Sequence, residues 1–411
     1  MDLKINIGAA NILPLILIIV GECITPVSNL VGVIFKNISI LLALVIIIFS
    51  KQKHSNVVLF YILNIFLITG VIISFSLPAA LISYYKYLFP FIFLYYGYTI
   101  KDSNKLISVL FVFSIINNLS QVGIYILWLL GYSLWFFNVT DSGIAYSNSF
   151  MGVLRGTGLL VFFGAYGFFN LVVFFIAYFY NSNSKLRKWA LVLSLLGVIF
   201  SFSMKAYVVF ILLLILFYKN RKIIFTTFLS ISIILALFFV SVFEEFSNQI
   251  MLRLMLYIVD GDSVRAESYR VMFNEVANLN FVGQGLGAFG GAESRAFNSP
   301  FYNEVNFNWF STPHLATTDT YYPHLFVEVG LIGAIFYLMV LCLPLLTKIH
   351  LMKKNSVKVV CAIYIAILFD SLWSFGLNNL IYASLSLTFI YPILRCKYFD
   401  NDKRDLYIQD S

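Results

Sequence analysis

The sequence predicts an all-α, polytopic integral membrane protein with about twelve transmembrane helices and one large extracytoplasmic loop. Three observations predict this fold class: the composition, the length of the apolar segments and the placement of lysine. Of the 411 residues, 61% are hydrophobic and only 11% are charged, and the mean hydropathy is +0.90. Because a soluble protein needs roughly a quarter of its residues charged, most of this chain is expected to face lipid.

The net charge of +8 does not indicate a nucleic-acid partner, because the basic residues form short clusters between apolar segments and no continuous stripe. The four cysteines are scattered and have neither disulfide-framework nor metal-ligand spacing. We therefore expect no metal site and no cofactor. Near the N-terminus, Lys4 precedes an apolar stretch without a convincing cleavage site, which favours an uncleaved first helix.

Apolar segments of about 20 residues are long enough to span a bilayer. The sequence contains twelve such candidates, of which two central ones are short and closely joined. They lie near residues 8–26, 30–50, 57–76, 81–100, 106–130, 156–180, 187–203, 205–219, 223–243, 322–347, 358–373 and 379–395.

Lysine placement predicts the orientation, since lysine and arginine accumulate in cytoplasmic loops. Basic clusters occupy alternate connections, and no lysine occurs from 223 to 347. This pattern places both termini in the cytoplasm and the loops 131–155, 201–205 and 244–321 outside. The predicted organisation is therefore nine helices in 1–243, a large outward-facing loop at 244–321, and three helices with a cytoplasmic tail in 322–411.

The large loop carries nine acidic residues and four arginines, so it does not resemble a patch for anionic lipid. A helix is predicted to begin at Asp262 or Ser263, whose short side chains can cap free amides, and to end near Asn278. At about 100° per residue, Arg265 and Arg270 point roughly 140° apart on it. The following Gly-Gln-Gly-Leu-Gly, 283–287, is interpreted as a flexible turn, because no strand precedes it as a dinucleotide site requires.

Residues 295–320 are rich in Asn, Phe, Tyr, Ser and Thr. Aromatic faces can stack on sugars while amides and hydroxyls bond the ring substituents. The same composition also describes an ordinary loop at headgroup level, so both interpretations stay open.

Three segments resemble the bacterial O-antigen polymerase and O-antigen ligase families of membrane glycosyltransferases. Arg270 to Gly287, RVMFNEVANLNFVGQGLG, resembles the family's arginine, helix and Gly-x-Gly-x-Gly turn. Asp319 to Gly333, DTYYPHLFVEVGLIG, resembles the block in which a His-Asn or Asp-Asn pair precedes an acid and Gly-Leu-hydrophobic-Gly. Ser201 to Tyr207, SFSMKAY, resembles the Ser-Arg-Gly/Ala turn between two central helices, with Lys205 in the arginine's place.

The resemblance implies an enzyme that polymerises oligosaccharide repeat units linked to undecaprenyl pyrophosphate into O-antigen or a similar surface polysaccharide. It also implies that the enzyme acts at the outer leaflet of the bacterial inner membrane, with the large loop in the periplasm. Its implied partners are this lipid-linked glycan, membrane lipid and a chain-length regulator protein. The leaving pyrophosphate gains negative charge in the transition state, so fixed cations beside it lower the barrier. A base near the acceptor hydroxyl would assist its deprotonation.

The site residues expected on this basis fall into three groups. The pyrophosphate ligands are Arg265, Arg270, Lys205 and Arg155; the catalytic residues are Arg270, Asp319 and His324; the supporting residues are Glu328 and His314. Each has a structural alternative: an interfacial anchor for Arg155, a headgroup contact for Lys205, surface salt bridges for the loop arginines and a satisfied structural role for the histidines. Glu328, near the outer end of a span, is expected to pair with one of the cations. Asp370, Asn378 and Asn379 are expected to line the same cavity.

Other functions remain open. A ligase that transfers glycan to a lipid A core is the nearest alternative, although Asp319-Thr320 stands where ligase members usually keep a histidine. A lipid-linked oligosaccharide flippase or other transporter also fits twelve spans with both termini inside, but the halves show no repeat. A receptor or structural membrane protein gives no reason for the arginines.

Overall fold

The computed structural model describes residues 12–50, 57–132, 149–150, 153–160, 162–217, 263–307, 309, 317–351 and 354–399. These residues are helical apart from connections and one short antiparallel ladder, in which Ser149 pairs with Leu154 and Phe150 with Val153. The ladder joins β1 (Ser149–Phe150) to β2 (Val153–Leu154). The α-helices are α1 (Leu13–Ile24), α2 (Asn29–Phe49), α3 (Val57–Ile72), α4 (Leu77–Thr99), α5 (Ser103–Leu129), α6 (Phe163–Phe179), α7 (Lys185–Phe200), α8 (Met204–Phe217), α9 (Val264–Ala277), α10 (Ala292–Ala296), α11 (Phe301–Glu304), α12 (Tyr322–Leu346), α13 (Asn355–Trp373), α14 (Leu380–Leu387) and α15 (Ile390–Arg395).

Helices occur at eleven of the twelve segments predicted to span the membrane, and the remaining segment, 223–243, lies outside the described residues. Five described helices are long and apolar enough to cross a membrane, namely α2, α4, α5, α12 with its continuation to Leu351, and α13. The last predicted span differs from expectation, because 379–395 is divided into α14 and α15. The protein therefore has the helical, membrane-type architecture that its composition predicts.

Polar side chains cap the N-termini of several helices, where the first amides have no intrahelical partner. Ser28, Asp102, Ser184, Ser263 and Asn379 each accept a hydrogen bond from an amide in the first turn of the helix that follows. The predicted loop helix is confirmed as α9, with Ser263 as its cap.

Lys36 and Lys86, which lie within apolar helices, form ion pairs with partially or fully buried carboxylates. Lys36 Nζ lies 2.6 Å from Glu22 Oε2 in the α1–α2 hairpin. Lys86 Nζ lies 2.5 Å from Glu293 Oε2, which belongs to the large loop. An unpaired charge within an apolar helix would be costly, so these carboxylates stabilise the two lysines. The ion pairs also connect α1 with α2 and α4 with the large loop.

Five consecutive residues of α4 connect it to four other elements through their side chains. These contacts join Ser83 and Lys86 to Glu293 of α10, Tyr84 to Asn64 of α3, Tyr85 to Asn37 of α2 and Tyr87 to Glu328 of α12. The large loop and α12 are thus fixed to α4 within its apolar span.

Helix α12 is broken at Gly330, where φ is 79° and ψ is 170°. The break removes helical hydrogen bonds, and the 280–285 connection of the loop replaces them. Gln284 N donates to Val327 O (2.8 Å), Gly285 N donates to Glu328 O (3.2 Å) and Leu331 N donates to Asn280 O (3.0 Å). Non-helical backbone within a membrane is tolerated where other parts of the protein satisfy its polar groups. The loop supplies these hydrogen-bond partners at the break in α12.

Candidate functional site

The turn between α7 and α8 places Lys205 at one end of the helix bundle. Phe202 adopts φ 46°, and Ser203 N donates to Ser201 Oγ (3.2 Å), so α8 begins immediately after a tight turn. Lys205 Nζ donates to Trp373 O (3.0 Å), the final residue of α13, and lies 3.6 Å from Asp370 Oδ1. The lysine thus meets both a carboxylate and the carbonyl end of a helix, where a cation is electrostatically favoured.

Arg265 lies in the first turn of α9 and reaches the segment that precedes α12. Its Nη2 donates to Asp319 Oδ2 across 2.9 Å. Asp319 adopts φ 54°, an uncommon conformation for a residue with a side chain, and Thr317 Oγ1 donates to its other carboxylate oxygen (3.3 Å). The side chains of Arg265 and Asp319 are 29% and 40% exposed, which leaves this pair accessible to a ligand.

These two ion pairs both lie at the end of α13. Lys205 Nζ donates to the carbonyl of Trp373. Tyr269, one turn along α9 from Arg265, donates its hydroxyl to the neighbouring carbonyl of Leu372 (2.7 Å) and so holds α9 against the same helix end. We call Lys205, Arg265, Asp319 and Asp370 the charged cluster; it assembles two cations and two carboxylates from four separate segments.

Arg270 lies apart from this cluster. Its guanidinium hydrogen-bonds Glu267, three residues earlier on α9, and half of its side chain is exposed. The angle between Arg265 and Arg270 explains the difference, because only one of them can face α13 and Asp319. The structure therefore favours Arg265 over Arg270 as the arginine of the site.

Arg155 lies beside the same turn that carries Lys205. Gly156 N donates to Phe200 O (2.7 Å), which binds the connection after β2 to the end of α7. The guanidinium Cζ lies 4.3 Å from the ring centroid of Phe163. Arg155 is thus a neighbour of the charged cluster with its own aromatic contact.

His324 is enclosed rather than accessible, with 3% of its surface exposed. Its Nε2 lies 2.8 Å from Thr318 Oγ1, and a Cβ built on Gly290 would lie 1.9 Å from the same nitrogen. Because Thr318 directly precedes Asp319, His324 holds the segment that presents the carboxylate. This geometry fits a residue that positions the Asp319 segment.

Glu328 does not pair with a site cation, which corrects the expectation from sequence. Its two carboxylate oxygens accept hydrogen bonds from the Tyr87 hydroxyl (2.9 Å) and from Phe289 N (3.1 Å). Glu328 thereby joins α12 to α4 and to the glycine-rich connection. His314, the other supporting residue expected, lies outside the described residues.

The 283–287 connection is closely packed, although the sequence suggested a flexible turn. Gly283, Gly285 and Gly287 all have positive φ, and a Cβ on any of them would lie within 2.7 Å of backbone atoms of α12 or of the α3–α4 region. Leu286 N donates to Gly70 O (2.9 Å), and Ser74 Oγ donates to Leu286 O (2.7 Å). Glycine is needed here because backbone segments approach one another directly.

The aromatic residues of the large loop form a second hydrophobic core. Phe289, Phe301, Tyr302, Phe307 and Trp309 are all at most 5% exposed. Burial also raises the pKa of the Tyr302 hydroxyl above its ordinary value, so it remains neutral where it contacts Ser294 Oγ (2.7 Å). These buried aromatic faces are not available for stacking on sugar, contrary to one interpretation of the loop composition.

Two residues of this region have roles that the sequence did not predict: Thr318 positions Asp319, and Glu293 ties the loop to Lys86. Asn379, which was expected to line the cavity, caps α14. The sequence does contain a signal for the Lys86 contact. Lys86 belongs to the polar run 83–87 inside an apolar span, and an ionisable residue there requires a partner. Among the described residues, no group of three or more His, Cys, Asp and Glu could hold a metal ion.

No protein-family model matches the chain, and no curated protein matches it. The likeness to the O-antigen polymerase and ligase families therefore depends on the three sequence segments alone. The segments 201–207 and 319–333 supply Lys205 and Asp319 to the charged cluster, and α9 supplies Arg265.

Proposed function

We propose that this protein is a membrane glycosyltransferase that polymerises oligosaccharide repeat units carried on a polyprenyl pyrophosphate. The observation that carries the proposal is the contact between Arg265 and Asp319 beside the Lys205–Asp370 pair. Two cations suit a pyrophosphate leaving group, and a carboxylate next to them suits a base. A third cation, Arg155, lies beside the same turn.

In the proposed reaction, a hydroxyl oxygen of the acceptor sugar attacks the anomeric carbon of the donor. The bond between that carbon and the pyrophosphate oxygen breaks, and the bonding electrons leave with the lipid pyrophosphate. Arg265 and Lys205 stabilise the charge that develops on the leaving oxygen. The proton of the acceptor hydroxyl passes to the carboxylate of Asp319.

The ion pair within the site suggests how substrate binding prepares this base. Without substrate, Asp319 accepts a hydrogen bond from Arg265 across 2.9 Å, so the guanidinium occupies one of its carboxylate oxygens. A pyrophosphate competes for the same guanidinium. Asp319 would then be released toward the acceptor hydroxyl only when the donor is present.

The membrane arrangement belongs to the same proposal. It comprises about twelve spans in a bacterial inner membrane, both termini in the cytoplasm and the loop 244–321 on the periplasmic side. Two contacts support this arrangement: Lys205 with Trp373, and Arg265 with Asp319. Lysine placement predicts that all of these connections face outward, and they lie together at one end of the bundle.

The test is elongation by purified protein supplied with a defined lipid-pyrophosphate-linked repeat unit and no lipid A core. We expect the native protein to form longer chains and Arg265→Ala to form none. Arg295→Ala, which changes an exposed arginine of the same loop, should retain the native chain lengths. Transfer only after addition of a core acceptor would indicate a ligase, and movement of intact units without elongation would indicate a flippase; either result would reject the polymerase.

A further inference from the structure

The break in α12 lies at the expected edge of the hydrocarbon core. The apolar segment that contains α12 extends from Tyr322 to Leu351, which is 30 residues. A bilayer core needs only about 20 of them. Counting back about 20 residues from Lys348, the first charge at the far end, reaches roughly residue 328. Gly330 and the loop residues bonded to it therefore lie near the boundary between headgroups and acyl chains.

Four large apolar side chains are exposed between residues 273 and 282 of the loop, where the backbone of Phe281 and Val282 contacts Gly330. The exposed fractions are 62% for Phe273, 59% for Leu279, 46% for Phe281 and 53% for Val282. We call these four residues the loop patch. Such a set of exposed hydrophobic residues within one short stretch of the loop indicates contact with something other than water.

The loop patch is continuous with the exposed apolar face of α12. Asn280, which lies in the chain between Leu279 and Phe281 of the patch, accepts a hydrogen bond from Leu331 N at its backbone carbonyl. Immediately after Leu331, the residues Ile332, Ile335 and Met339 are 48%, 54% and 42% exposed. Their spacing puts them on one side of a helix that is apolar enough to span a membrane, so this face is expected to contact lipid.

We infer that the loop patch is inserted among the acyl chains of the outer leaflet, with α9 lying at the level of the lipid headgroups. The large loop is then a membrane-embedded element and not a lid suspended in water. The face of α9 that presents Phe273 also presents Arg270 three residues earlier, and both side chains are exposed. An arginine at this level would contact lipid phosphates while its neighbour enters the apolar layer.

The inference depends on α12 crossing a membrane and is independent of the reaction proposed above. If the proposed function also holds, the inserted patch keeps Arg265, on the same helix, at the depth of a lipid-linked pyrophosphate. The substrate would then reach the charged cluster by moving within the leaflet.

Depth measurement in lipid nanodiscs tests the insertion. The four cysteines are replaced by alanine, and single cysteines are introduced as Val282→Cys, Phe273→Cys and Glu304→Cys for labelling with a fluorophore sensitive to polarity. Glu304 is an exposed acid of the same loop outside the patch and serves as the matched control. We expect blue-shifted emission and quenching by nitroxide-bearing lipids for labels at 273 and 282, and neither effect at 304.

Equal, water-like emission at all three positions would overturn the inference. Labels at 273 and 282 that are shielded but not quenched by nitroxide lipids would overturn it too, in favour of a second copy of the chain covering the patch. A Phe281→Trp variant in the native cysteine background provides an independent measurement. Brominated lipids should quench the tryptophan fluorescence that this variant gains over the native protein, and unchanged fluorescence would contradict insertion.

Discussion

Gly283 and Gly330 contact each other through their backbones. A Cβ on Gly283 would lie 2.5 Å from Gly330 N, and a Cβ on Gly330 would lie 2.5 Å from Gly283 N. Both residues have positive φ, 85° and 79°. The glycine-rich connection of the loop and the break in α12 are thus one structural unit that neither segment could form alone.

Alanine at either glycine should destabilise the protein. A positive φ costs a residue with a Cβ roughly 1–2 kcal/mol, and the close backbone contacts add to this. We expect Gly283→Ala and Gly330→Ala to lower the midpoint of thermal unfolding, measured by intrinsic fluorescence in detergent. Gly123→Ala is the control, because nothing lies within 4 Å of a Cβ there and alanine is favoured in a helix. A midpoint for Gly283→Ala at or above that of Gly123→Ala would contradict the assignment.

Asp319→Asn should abolish most of the elongation rate while leaving the fold intact. Asparagine can still accept a hydrogen bond from Arg265 but cannot take up the proton of the acceptor hydroxyl. The loss expected for removing a general base is about 10²- to 10⁴-fold, measured as initial rate at saturating donor. Glu304→Gln, which neutralises an exposed acid of the same loop, should keep the native rate. Native activity in Asp319→Asn would exclude Asp319 as the base.

Arg265→Ala should reduce elongation far more than Arg270→Ala, because only Arg265 contacts the carboxylate of the charged cluster. The comparison is made on initial rates, with the amount of membrane-inserted protein determined for each variant. A smaller loss in Arg265→Ala than in Arg270→Ala would contradict the proposal that the charged cluster is the site of the reaction. It would indicate a site on the exposed face of α9 that carries Arg270.

Variants of Lys205 and Asp370 should separate the contribution of this ion pair to stability from the contribution of Lys205 to elongation. Lys205→Met leaves the buried carboxylate of Asp370 without its cation, which is destabilising, so its unfolding midpoint should fall. Adding Asp370→Asn removes the uncompensated charge and should restore part of the midpoint. Elongation should not recover, because the cation for the pyrophosphate is still missing. Recovery of both properties in the double variant would mean that Lys205 is only structural.

Lys86→Met should loosen the loop locally. Lys86 Nζ and Ser83 Oγ bind the two oxygens of Glu293, so loss of the cation should increase hydrogen exchange of the amides in 283–296. Lys36→Met removes an ion pair of the α1–α2 hairpin and should leave exchange in 283–296 unchanged. Equal protection of this region in both variants would show that the Lys86 contact does not hold the loop.

The apolar segments were predictable because a span needs a long run of residues compatible with lipid. Their boundaries agree with the helices to within a few residues in most cases, as for 322–347 and α12. The Ser263 cap was equally visible, since capping is a local property. These features depend only on neighbouring residues in the chain.

The composition of the site was only partly predictable. Arg265, Lys205 and Asp319 were identified, but their partners were not, because pairing depends on which connections meet at one end of the bundle. Arg270 and Arg265 are chemically equivalent in sequence, and only the direction of α9 relative to α13 separates them. Glu328 was expected to bind a cation and binds Tyr87, for which a local pattern offers no signal.

The polar run of α4 has a consequence for synthesis of the protein. Lys86 is made 207 residues before Glu293, and Tyr87 is made 241 residues before Glu328. A nascent chain that has inserted only its first helices therefore holds a lysine in the bilayer that its final carboxylate cannot yet reach. The N-terminal helices therefore cannot reach their final packing until the segment with Glu293 has emerged from the ribosome. A chain truncated before residue 293 would expose this lysine to membrane quality control.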